Sequence, residues 1–235
     1  MKTALATRVI LAGALGVLGV IGVGLIAGPR LHLSAMYPLK AAALFAAMVA
    51  IGVGAVGEYH PFPRFGAANQ VTMIRSMLLA LVAGLIGEPE TRPVAAAAVV
   101  ATTVMAALDG VDGWLARRSR MASRFGARFD METDALLIMV LSLLVWRHGK
   151  AGAWVLLGGL MRYAFGAAGW LLPWMARPLA PTRRGQTVAV CHLMGLTVAL
   201  APIVPAPLSA FAAAVTLAAL TWSFAVDVRR LRRKE

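Results

Sequence analysis

The sequence predicts an all-α membrane protein, a polytopic bundle of transmembrane helices. Of its 235 residues, 60% are hydrophobic and only 14% are charged, and the mean hydropathy is +0.77. A soluble domain carries about 25% charged residues, so this chain has too few polar side chains to cover a water-facing surface. Its apolar stretches are continuous rather than alternating, which favours membrane helices over the strands of a barrel.

Eight apolar segments are long enough to cross a bilayer, which takes about 20 residues. Prolines, glycines and charged residues separate them along the chain. The predicted spans are residues 7–28, 39–57, 70–87, 93–117, 126–146, 151–175, 186–204 and 207–227. We divide them into an extra N-terminal transmembrane helix pair, residues 1–60, and a core of six transmembrane helices, residues 61–235.

The first apolar segment could instead belong to a signal peptide, because Lys2 and Arg8 precede or begin it. Its apolar run is about 20 residues long, whereas the apolar core of a signal peptide has about 7–15 residues. Removal of this segment would also disturb the distribution of basic residues between the two sides of the membrane. We therefore expect the first segment to be retained as a membrane span.

The formal net charge is +13, and the distribution of the basic residues orients the spans. If the N-terminus is cytoplasmic, the inner segments carry most of the lysines and arginines. The outer segments then carry only Arg30, Lys40, Arg92, Arg147 and Lys150. Because cytoplasmic loops are enriched in basic residues, we expect both termini in the cytoplasm and the chain in the cell membrane. The short basic runs lack interleaved aromatic residues, so no nucleic-acid partner is expected.

Acidic residues inside the fourth and fifth spans form the most informative pattern in the chain. Carboxylates inside a membrane are costly and by default mark a functional site. Here four aspartates occur with two glycines, an alanine and an arginine at fixed spacings. The pattern reads Asp109-x2-Asp112-Gly113-x2-Ala116-Arg117, then eight residues, then Gly126-x3-Asp130-x3-Asp134.

Helical geometry predicts that these four carboxylates converge. Successive helical residues turn by about 100°, so Asp109 and Asp112 share one face of the fourth span, and Asp130 and Asp134 share one face of the fifth. A short basic loop joins the two spans, which makes them antiparallel neighbours. With a rise of about 1.5 Å per residue, Asp109 is level with Asp134 and Asp112 with Asp130. We expect the cluster near the cytosolic side of the membrane.

A cluster of four carboxylates indicates a site for two divalent cations. Such groups cannot all stay ionised in a low dielectric without cations. Hard oxygen ligands suit Mg²⁺ or Mn²⁺, and two ions about 4 Å apart could bind a pyrophosphate. The small residues Gly113, Ala116 and Gly126 would leave room for a nucleotide, although small residues also permit close helix packing by themselves.

The whole pattern resembles the signature of the CDP-alcohol phosphotransferase family, integral membrane enzymes of phospholipid synthesis. The resemblance covers about residues 61–227. It implies transfer of a substituted phosphate from a CDP-alcohol, usually CDP-diacylglycerol, to an acceptor hydroxyl, with release of CMP. By position, it implies that Asp109, Asp112, Asp130 and Asp134 are ligands of two metal ions. It also implies that Asp134 is the general base and that the enzyme is a homodimer.

The same resemblance assigns further residues to the CDP group, namely Asn69, Thr72, Arg75, Gly113, Arg117 and Ser123. Ala116 and Gly126 join this predicted CDP site as the small residues that leave room for the nucleotide. Asn69, Thr72 and Arg75 match an Asn-x2-Thr-x2-Arg entry to the first core helix, and residues 58–68 resemble the interfacial helix that often precedes it. Asn69 could also act as a helix N-cap. Arg75 lies inside a span and needs a partner there, either phosphate or an aspartate of the cluster.

The sequence identifies the acceptor alcohol less closely than it identifies the CDP-alcohol donor. Arg162, Arg183 and Arg184 are expected near the cytosolic ends of the sixth and seventh spans. Guanidinium groups bind phosphate through two parallel hydrogen bonds, which favours a phosphorylated polyol such as glycerol 3-phosphate over another small alcohol. Arg183 and Arg184 could equally be basic anchors at the cytoplasmic face.

Two other functions are compatible with parts of this pattern. A divalent-cation transporter or channel would also use intramembrane carboxylates, but the cluster is expected near the cytosol rather than at mid-membrane. A catalytically silent scaffold would be expected to lack one of the aspartates, and all four are present. His192 has no carboxylate partner nearby in the sequence, so we interpret it as a hydrogen-bonded core residue.

Overall fold

The computed structural model describes residues 2–59, 62, 65–119, 123–176 and 182–232. Within these ranges all regular structure is helical, which confirms the predicted all-α, polytopic bundle. The helices are α1 Lys2–Leu31, α2 Tyr37–Tyr59, α3 Ala67–Gly84, α4 Arg92–Ser119, α5 Arg124–Arg147, α6 Leu156–Leu171, α7 Arg183–Leu200 and α8 Ala206–Arg232. Short 3-10 turns occur at Ala153–Val155 and Pro173–Ala176.

Five of the described helices are long and apolar enough to cross a membrane. These segments are Val9–Leu31, Tyr37–Gly54, Ala67–Gly84, Arg92–Leu115 and Ala206–Arg232. The other three predicted spans are helices but do not meet the combined requirements of length and apolar composition. Helix α5 carries several charged residues in its first half, α6 has only 16 residues, and α7 begins with two arginines.

Exposed apolar side chains are frequent along the membrane-crossing helices. Leu15 on α1 is 70% exposed and Phe211 on α8 is 69% exposed, and many neighbours on these helices are more than half exposed. A water-soluble protein rarely exposes an apolar face of this kind. In a bilayer the same side chains contact lipid tails, so their exposure agrees with the membrane class predicted from composition.

The ends of two helices differ from their predicted positions for local reasons. The predicted span 151–175 is divided into a 3-10 turn, α6 and a second 3-10 turn that starts at Pro173, because proline lacks the N–H that continues a helix. Helix α7 starts earlier than predicted because Thr182 caps it. The Thr182 side chain accepts a hydrogen bond from the Gly185 N–H at 3.1 Å, which satisfies an otherwise unpaired donor.

Within the predicted interfacial helix at 58–68, residues 60, 61, 63 and 64 lie outside the described residues, and the described ones form no separate helix, since α2 ends at Tyr59 and α3 begins at Ala67. Phe65 and Gly66 are described and are not helical. Gly66 is the N-cap of α3, and its φ of 85° lies in the left-handed region that favours glycine. Because α3 begins at Ala67, Asn69 lies within the first helical turn, and the interpretation of Asn69 as an N-cap is wrong.

The chain forms two compact units, Met1–Asp134 and Ala135–Glu235. In the first unit, α1 packs on α2, α2 on α3, and α3 on α4. Fully buried apolar side chains in this unit include Phe45, Leu79 and Met105. The first unit contains all four aspartates of the sequence pattern, together with Asn69, Thr72 and Arg75 of α3.

In the second unit, α7 packs on α8, and two glycines of α6 permit close contacts. A Cβ atom on Gly159 would lie 2.6 Å from the backbone Cα of Met139, and a Cβ atom on Gly158 would lie 2.3 Å from His192 Nε2. His192 is fully buried, and its Nδ1 lies 3.1 Å from the hydroxyl oxygen of Thr216. The structure therefore agrees with the interpretation of His192 as a hydrogen-bonded core residue.

A partly buried ion pair connects the N-terminal helix pair to the loop after α3. Glu88 is 5% exposed and pairs with Lys40 at the start of α2. The Glu88 carboxylate also accepts hydrogen bonds from the Ser34 N–H at 2.6 Å and the Ser34 hydroxyl at 2.7 Å. Nearby, the Tyr37 hydroxyl donates to the Leu81 carbonyl at 3.0 Å. These contacts hold the α1–α2 loop against the end of α3.

We expect the Glu88 contacts to make the stability of the protein depend on pH. Burial acts to raise the pKa of Glu88, but Lys40 and the hydrogen bonds from Ser34 outweigh burial and lower this pKa below its usual range. A carboxyl group with a depressed folded-state pKa stabilises the folded protein above its unfolded-state pKa. That stabilisation disappears as the pH falls through the folded-state pKa.

Thermal unfolding of the protein in detergent, measured from about pH 7 down to about pH 3, tests this expectation. The unfolding midpoint should fall further with acidification in the wild type than in Glu88→Gln, which never has the ionised contact. Glu90→Gln removes an exposed carboxylate from the same loop and should keep the wild-type pH dependence. An identical fall in the wild type and Glu88→Gln would contradict the prediction.

Candidate active site

Four aspartates from two helices surround one arginine from a third helix. Asp109 and Asp112 lie on α4, Asp130 and Asp134 lie on α5, and Arg75 lies on α3. In the described part of the chain, each of these four carboxylates forms an ion pair with Arg75. The geometry confirms the predicted convergence of the four carboxylates, and it identifies aspartates as the partners of Arg75.

Of the two terminal nitrogens of Arg75, Nη1 contacts three of the carboxylates and Nη2 contacts the fourth. Nη1 lies 2.9 Å from an oxygen of Asp109 and 2.8 Å from an oxygen of Asp112, and it also donates to Asp130. Nη2 donates to Asp134 at 2.5 Å. The Arg75 and Asp112 side chains are 2% and 6% exposed, whereas the other three carboxylates are more than one-third exposed. The cluster therefore has a buried floor, formed by Arg75 and Asp112, and an accessible side, lined by the other three carboxylates.

The cluster has the donor atoms and the spacing that a metal ion needs. Asp109, Asp112 and Asp130 each offer one carboxylate oxygen, and these three oxygens lie within 4.8 Å of one another. Carboxylate oxygens are the hard ligands that Mg²⁺ and Mn²⁺ prefer. Four ionised carboxylates and one guanidinium sum to a charge of −3, so Arg75 alone does not neutralise the site. These residues fit a divalent cation.

Hydroxyl groups on α3 and α5 support the buried floor of the cluster. The Thr72 hydroxyl donates to Asp112 at 3.2 Å. One turn further along α3, the Ser76 hydroxyl lies 3.5 Å from the Thr133 hydroxyl of α5. Ser76 and Thr133 were not predicted from the sequence. The available signal was the four-residue spacing of Thr72 and Ser76, which places both on the face of α3 near Arg75.

The start of α5 approaches α3 closely at Gly126. A Cβ atom on Gly126 would lie 2.6 Å from Asn69 Oδ1. Asn69 is held in place because its Nδ2 donates to the Phe65 carbonyl at 2.5 Å. The Ser123 hydroxyl accepts a hydrogen bond from the Gly126 N–H at 3.0 Å and so caps α5. Asn69, Gly126 and Ser123 thus have packing and capping contacts, and their contact with a nucleotide stays a prediction.

Three phenylalanine rings pack together where the start of α5 lies near the start of α3. The ring centroids of Phe65 and Phe125 are 6.2 Å apart, and those of Phe125 and Phe129 are 5.7 Å apart. Such contacts add to the burial of the aromatic rings, and they hold the first turns of α5 near the start of α3. These residues were not predicted as part of the site, although the one-turn spacing of Phe125 and Phe129 was a signal.

The remaining residues of the pattern lie along α4. Gly113 follows Asp112 directly and is half-buried. Ala116 and Arg117 continue α4 one turn later, but their side chains lie outside the described part of the structure. The nucleotide contacts of Gly113, Ala116 and Arg117 therefore stay predictions.

The arginines predicted to bind the acceptor belong to the second unit. Arg162 is half-buried on α6, and Arg183 is exposed at the first position of α7. Arg184 forms an ion pair with Asp227 of α8, and its guanidinium lies 5.6 Å from the ring centroid of Trp222. Asp227 was not predicted as a partner. An anionic acceptor would have to share Arg184 with Asp227, and the acceptor role of the three arginines stays a prediction.

Comparison with known proteins gives a match to one family. The sequence profile of CDP-alcohol phosphatidyltransferases matches residues 65–226, well over half of the 235-residue chain. The matched region starts just before α3 and ends within α8, so it includes Arg75 and all four aspartates of the cluster. No curated protein and no solved structure matches the chain.

Proposed function

The chain belongs to the CDP-alcohol phosphatidyltransferase family, and on this premise we propose that it is a transferase of phospholipid synthesis. It moves a phosphatidyl group from CDP-diacylglycerol, or a similar CDP-alcohol, to an acceptor hydroxyl and releases CMP. The observation that carries the proposal is the cluster of four carboxylates around Arg75, because it lies inside the matched region and has the donor set for divalent cations.

The proposed reaction is a substitution at phosphorus. The acceptor oxygen forms a bond to the phosphorus that carries the diacylglycerol. The bond from that phosphorus to the oxygen shared with the CMP phosphate breaks, and CMP leaves with the shared oxygen. The proton of the acceptor hydroxyl is taken up by a base. Reactions of this type depend mainly on positioning and on stabilisation of negative charge, which agrees with a site built from charged side chains.

We propose that the four aspartates hold two divalent cations, Mg²⁺ or Mn²⁺. The three-oxygen group of Asp109, Asp112 and Asp130 supports one cation position, and Asp134 would complete the second. When bound, the cations neutralise the pyrophosphate and polarise the phosphorus under attack. Arg75, already within contact distance of all four aspartates, adds a positive charge near the expected position of the pyrophosphate.

We propose Asp134 as the general base for the acceptor hydroxyl. A general base must lie within hydrogen-bond reach of the proton that it accepts. The Asp134 side chain is 40% exposed and lies on the accessible side of the cluster. It is also outside the three-oxygen group formed by the other aspartates. An acceptor hydroxyl could therefore approach Asp134 while the buried Asp112 stays covered.

The other contacts complete the proposal. Around the CDP group we place Asn69, Thr72, Arg75, Gly113, Ala116, Arg117, Ser123 and Gly126. Around the acceptor we place Arg162, Arg183 and Arg184, which favour a phosphorylated polyol such as glycerol 3-phosphate. We further propose a homodimer in the cell membrane, with both termini and the active site facing the cytoplasm. The N-terminal pair, residues 1–60, would then accompany a six-helix core, residues 61–235.

Release of CMP from radiolabelled CDP-diacylglycerol tests the proposed function. The purified protein, in detergent or lipid, is expected to release CMP when Mg²⁺ or Mn²⁺ and an acceptor alcohol are present. EDTA should abolish the release, because the carboxylate cluster then lacks its cations. A panel of acceptors that pairs glycerol 3-phosphate with unphosphorylated polyols would identify the acceptor class.

The same preparation separates the enzyme from the alternative transporter. Flux of divalent cations into liposomes without any CMP release would favour a transporter or channel. The position of Arg75 among the four carboxylates argues for the enzyme, because every cation passing through a channel at this point would have to displace the guanidinium. Absence of CMP with every acceptor of the panel would contradict the proposed function.

A further inference from the structure

We infer that Arg75 is a built-in counter-ion of the carboxylate cluster and that a divalent cation must displace it in order to bind. The inference rests on the proposed function, because it takes the carboxylates as the ligands of that cation. It goes further by stating that the Arg75 guanidinium occupies the cation position before the cation binds. It also predicts that the residue nearest the cluster opposes cation binding rather than supporting it.

The position of the Arg75 Nη1 atom carries this inference. Nη1 lies 2.9 Å from Asp109, 2.8 Å from Asp112 and in contact with Asp130. These are the same three carboxylates whose oxygens lie within 4.8 Å of one another. Nη1 therefore occupies the space among the oxygens that would surround a cation. A guanidinium and a divalent ion in that space would overlap and repel each other.

Burial explains why the cluster needs a resident positive charge. The Arg75 side chain is 2% exposed and that of Asp112 is 6% exposed, so water cannot solvate the floor of the cluster. Buried carboxylates without a counter-charge strongly destabilise a fold. A guanidinium stays protonated in proteins and has five N–H donors, so one arginine can serve four acceptors. Arg75 thereby stabilises the packing of α3 against α4 and α5 before any cation binds.

Displacement would also change what Arg75 can bind. Asp109, Asp130 and Asp134 are more than one-third exposed, so the cluster opens on the side that these carboxylates line. A guanidinium released from the carboxylates can move toward that side, where an anionic substrate would enter. Guanidinium groups bind phosphate oxygens through paired hydrogen bonds. Arg75 would then act first as a counter-ion and afterwards as a phosphate ligand.

Binding of Mn²⁺ to the full-length protein, without nucleotide, tests the inference. Electron paramagnetic resonance and titration calorimetry measure the affinity, and thermal unfolding measures stability with EDTA and with Mn²⁺. Arg75→Met removes the charge but keeps a long side chain. We expect it to bind Mn²⁺ about tenfold more tightly than the wild type, because the cation no longer breaks charge-assisted hydrogen bonds. Its unfolding midpoint should be lower in EDTA and should rise more with Mn²⁺.

Arg128→Met is the matched control. Arg128 is exposed on α5, two residues before Asp130, so this variant also removes one positive charge from the neighbourhood of the cluster. Arg128 is not the residue that pairs with the four aspartates, so the Mn²⁺ affinity of Arg128→Met should change much less than that of Arg75→Met. Arg75→Lys is a second test variant that keeps the charge. A compact ammonium cannot contact four carboxylates at once, so this variant should also bind Mn²⁺ more tightly than the wild type.

The outcomes distinguish this inference from the proposed function. If the wild type binds Mn²⁺ and releases CMP, but neither Arg75 variant binds Mn²⁺ more tightly, the displacement is refuted and the enzyme remains. If Arg75→Met does not fold, the Mn²⁺ affinity of Arg75→Lys alone tests the displacement, and an affinity no tighter than that of the wild type refutes it. If the wild type and every variant fail to bind Mn²⁺, the proposed cation site and the displacement are both refuted. Tighter binding in the Arg75 variants, together with an unchanged Arg128→Met, supports the displacement.

Discussion

Asp134→Asn is expected to lower CMP release from CDP-diacylglycerol by a factor of about 10² to 10⁴, the usual contribution of a general base. Binding of Mn²⁺ at the cation position formed by the other three aspartates should largely survive. The structural reason is that the three oxygens grouped within 4.8 Å come from Asp109, Asp112 and Asp130, and Asp134 is not among them. An asparagine at this position keeps the shape of the side chain but cannot accept the proton of the acceptor hydroxyl.

The measurement compares CMP release and Mn²⁺ affinity in the same preparations. Glu132→Gln is the matched control, because Glu132 lies on the same helix, two residues before Asp134. It is not one of the carboxylates that pair with Arg75, so its replacement should leave CMP release near the wild-type rate. An active Asp134→Asn enzyme would exclude Asp134 as the base. Loss of Mn²⁺ binding together with activity would instead identify it as an essential cation ligand.

Asp112→Asn is expected to remove cation binding and CMP release together, and to stabilise the cation-free protein. Asp112 is 5% exposed and supplies one of the three grouped oxygens. Loss of its charge should weaken Mn²⁺ binding by about a hundredfold or more, since even indirect changes at a metal site cost about 10- to 100-fold. An asparagine oxygen can still accept hydrogen bonds from Thr72 and Arg75. The change therefore reduces the net charge of the cluster from −3 to −2 without breaking those contacts.

Thermal unfolding in EDTA and in Mn²⁺ shows whether Asp112→Asn behaves in this way. The variant should unfold at a higher temperature than the wild type in EDTA and should gain little from Mn²⁺. Glu90→Gln, which removes an exposed carboxylate outside the cluster, should behave like the wild type in both conditions. A variant that is less stable than the wild type in EDTA would mean that Asp112 serves the fold more than the cation site.

The carboxylate pairs could be predicted from the sequence because they depend on spacing along single helices. Asp112 follows Asp109 by three positions along the chain, and Asp134 follows Asp130 by four. Each pair must therefore share a helix face, since a helix turns by about 100° per residue. The short connection between the two helices then places the pairs side by side. Composition likewise predicts the membrane class, because the requirement to cover apolar surface does not depend on the details of packing.

Contacts between helices could not be predicted in the same way. The sequence leaves open whether Arg75 contacts phosphate, one aspartate or several. Its contact with all four depends on how α3 crosses α4 and α5. The approach of Asn69 to Gly126 depends on the same crossing. The ion pair between Arg184 and Asp227 likewise depends on the packing of α7 on α8.

By itself, the sequence of this protein determined the all-α membrane class, the family signature and the two acid pairs, because composition and helical periodicity are local properties of the chain. Only the tertiary structure decided that a single buried arginine joins the pairs and that its Nη1 atom lies among three of the carboxylates. The physical reason is that the crossing of three helices results from the packing of side chains distant in sequence, which no spacing within one helix encodes.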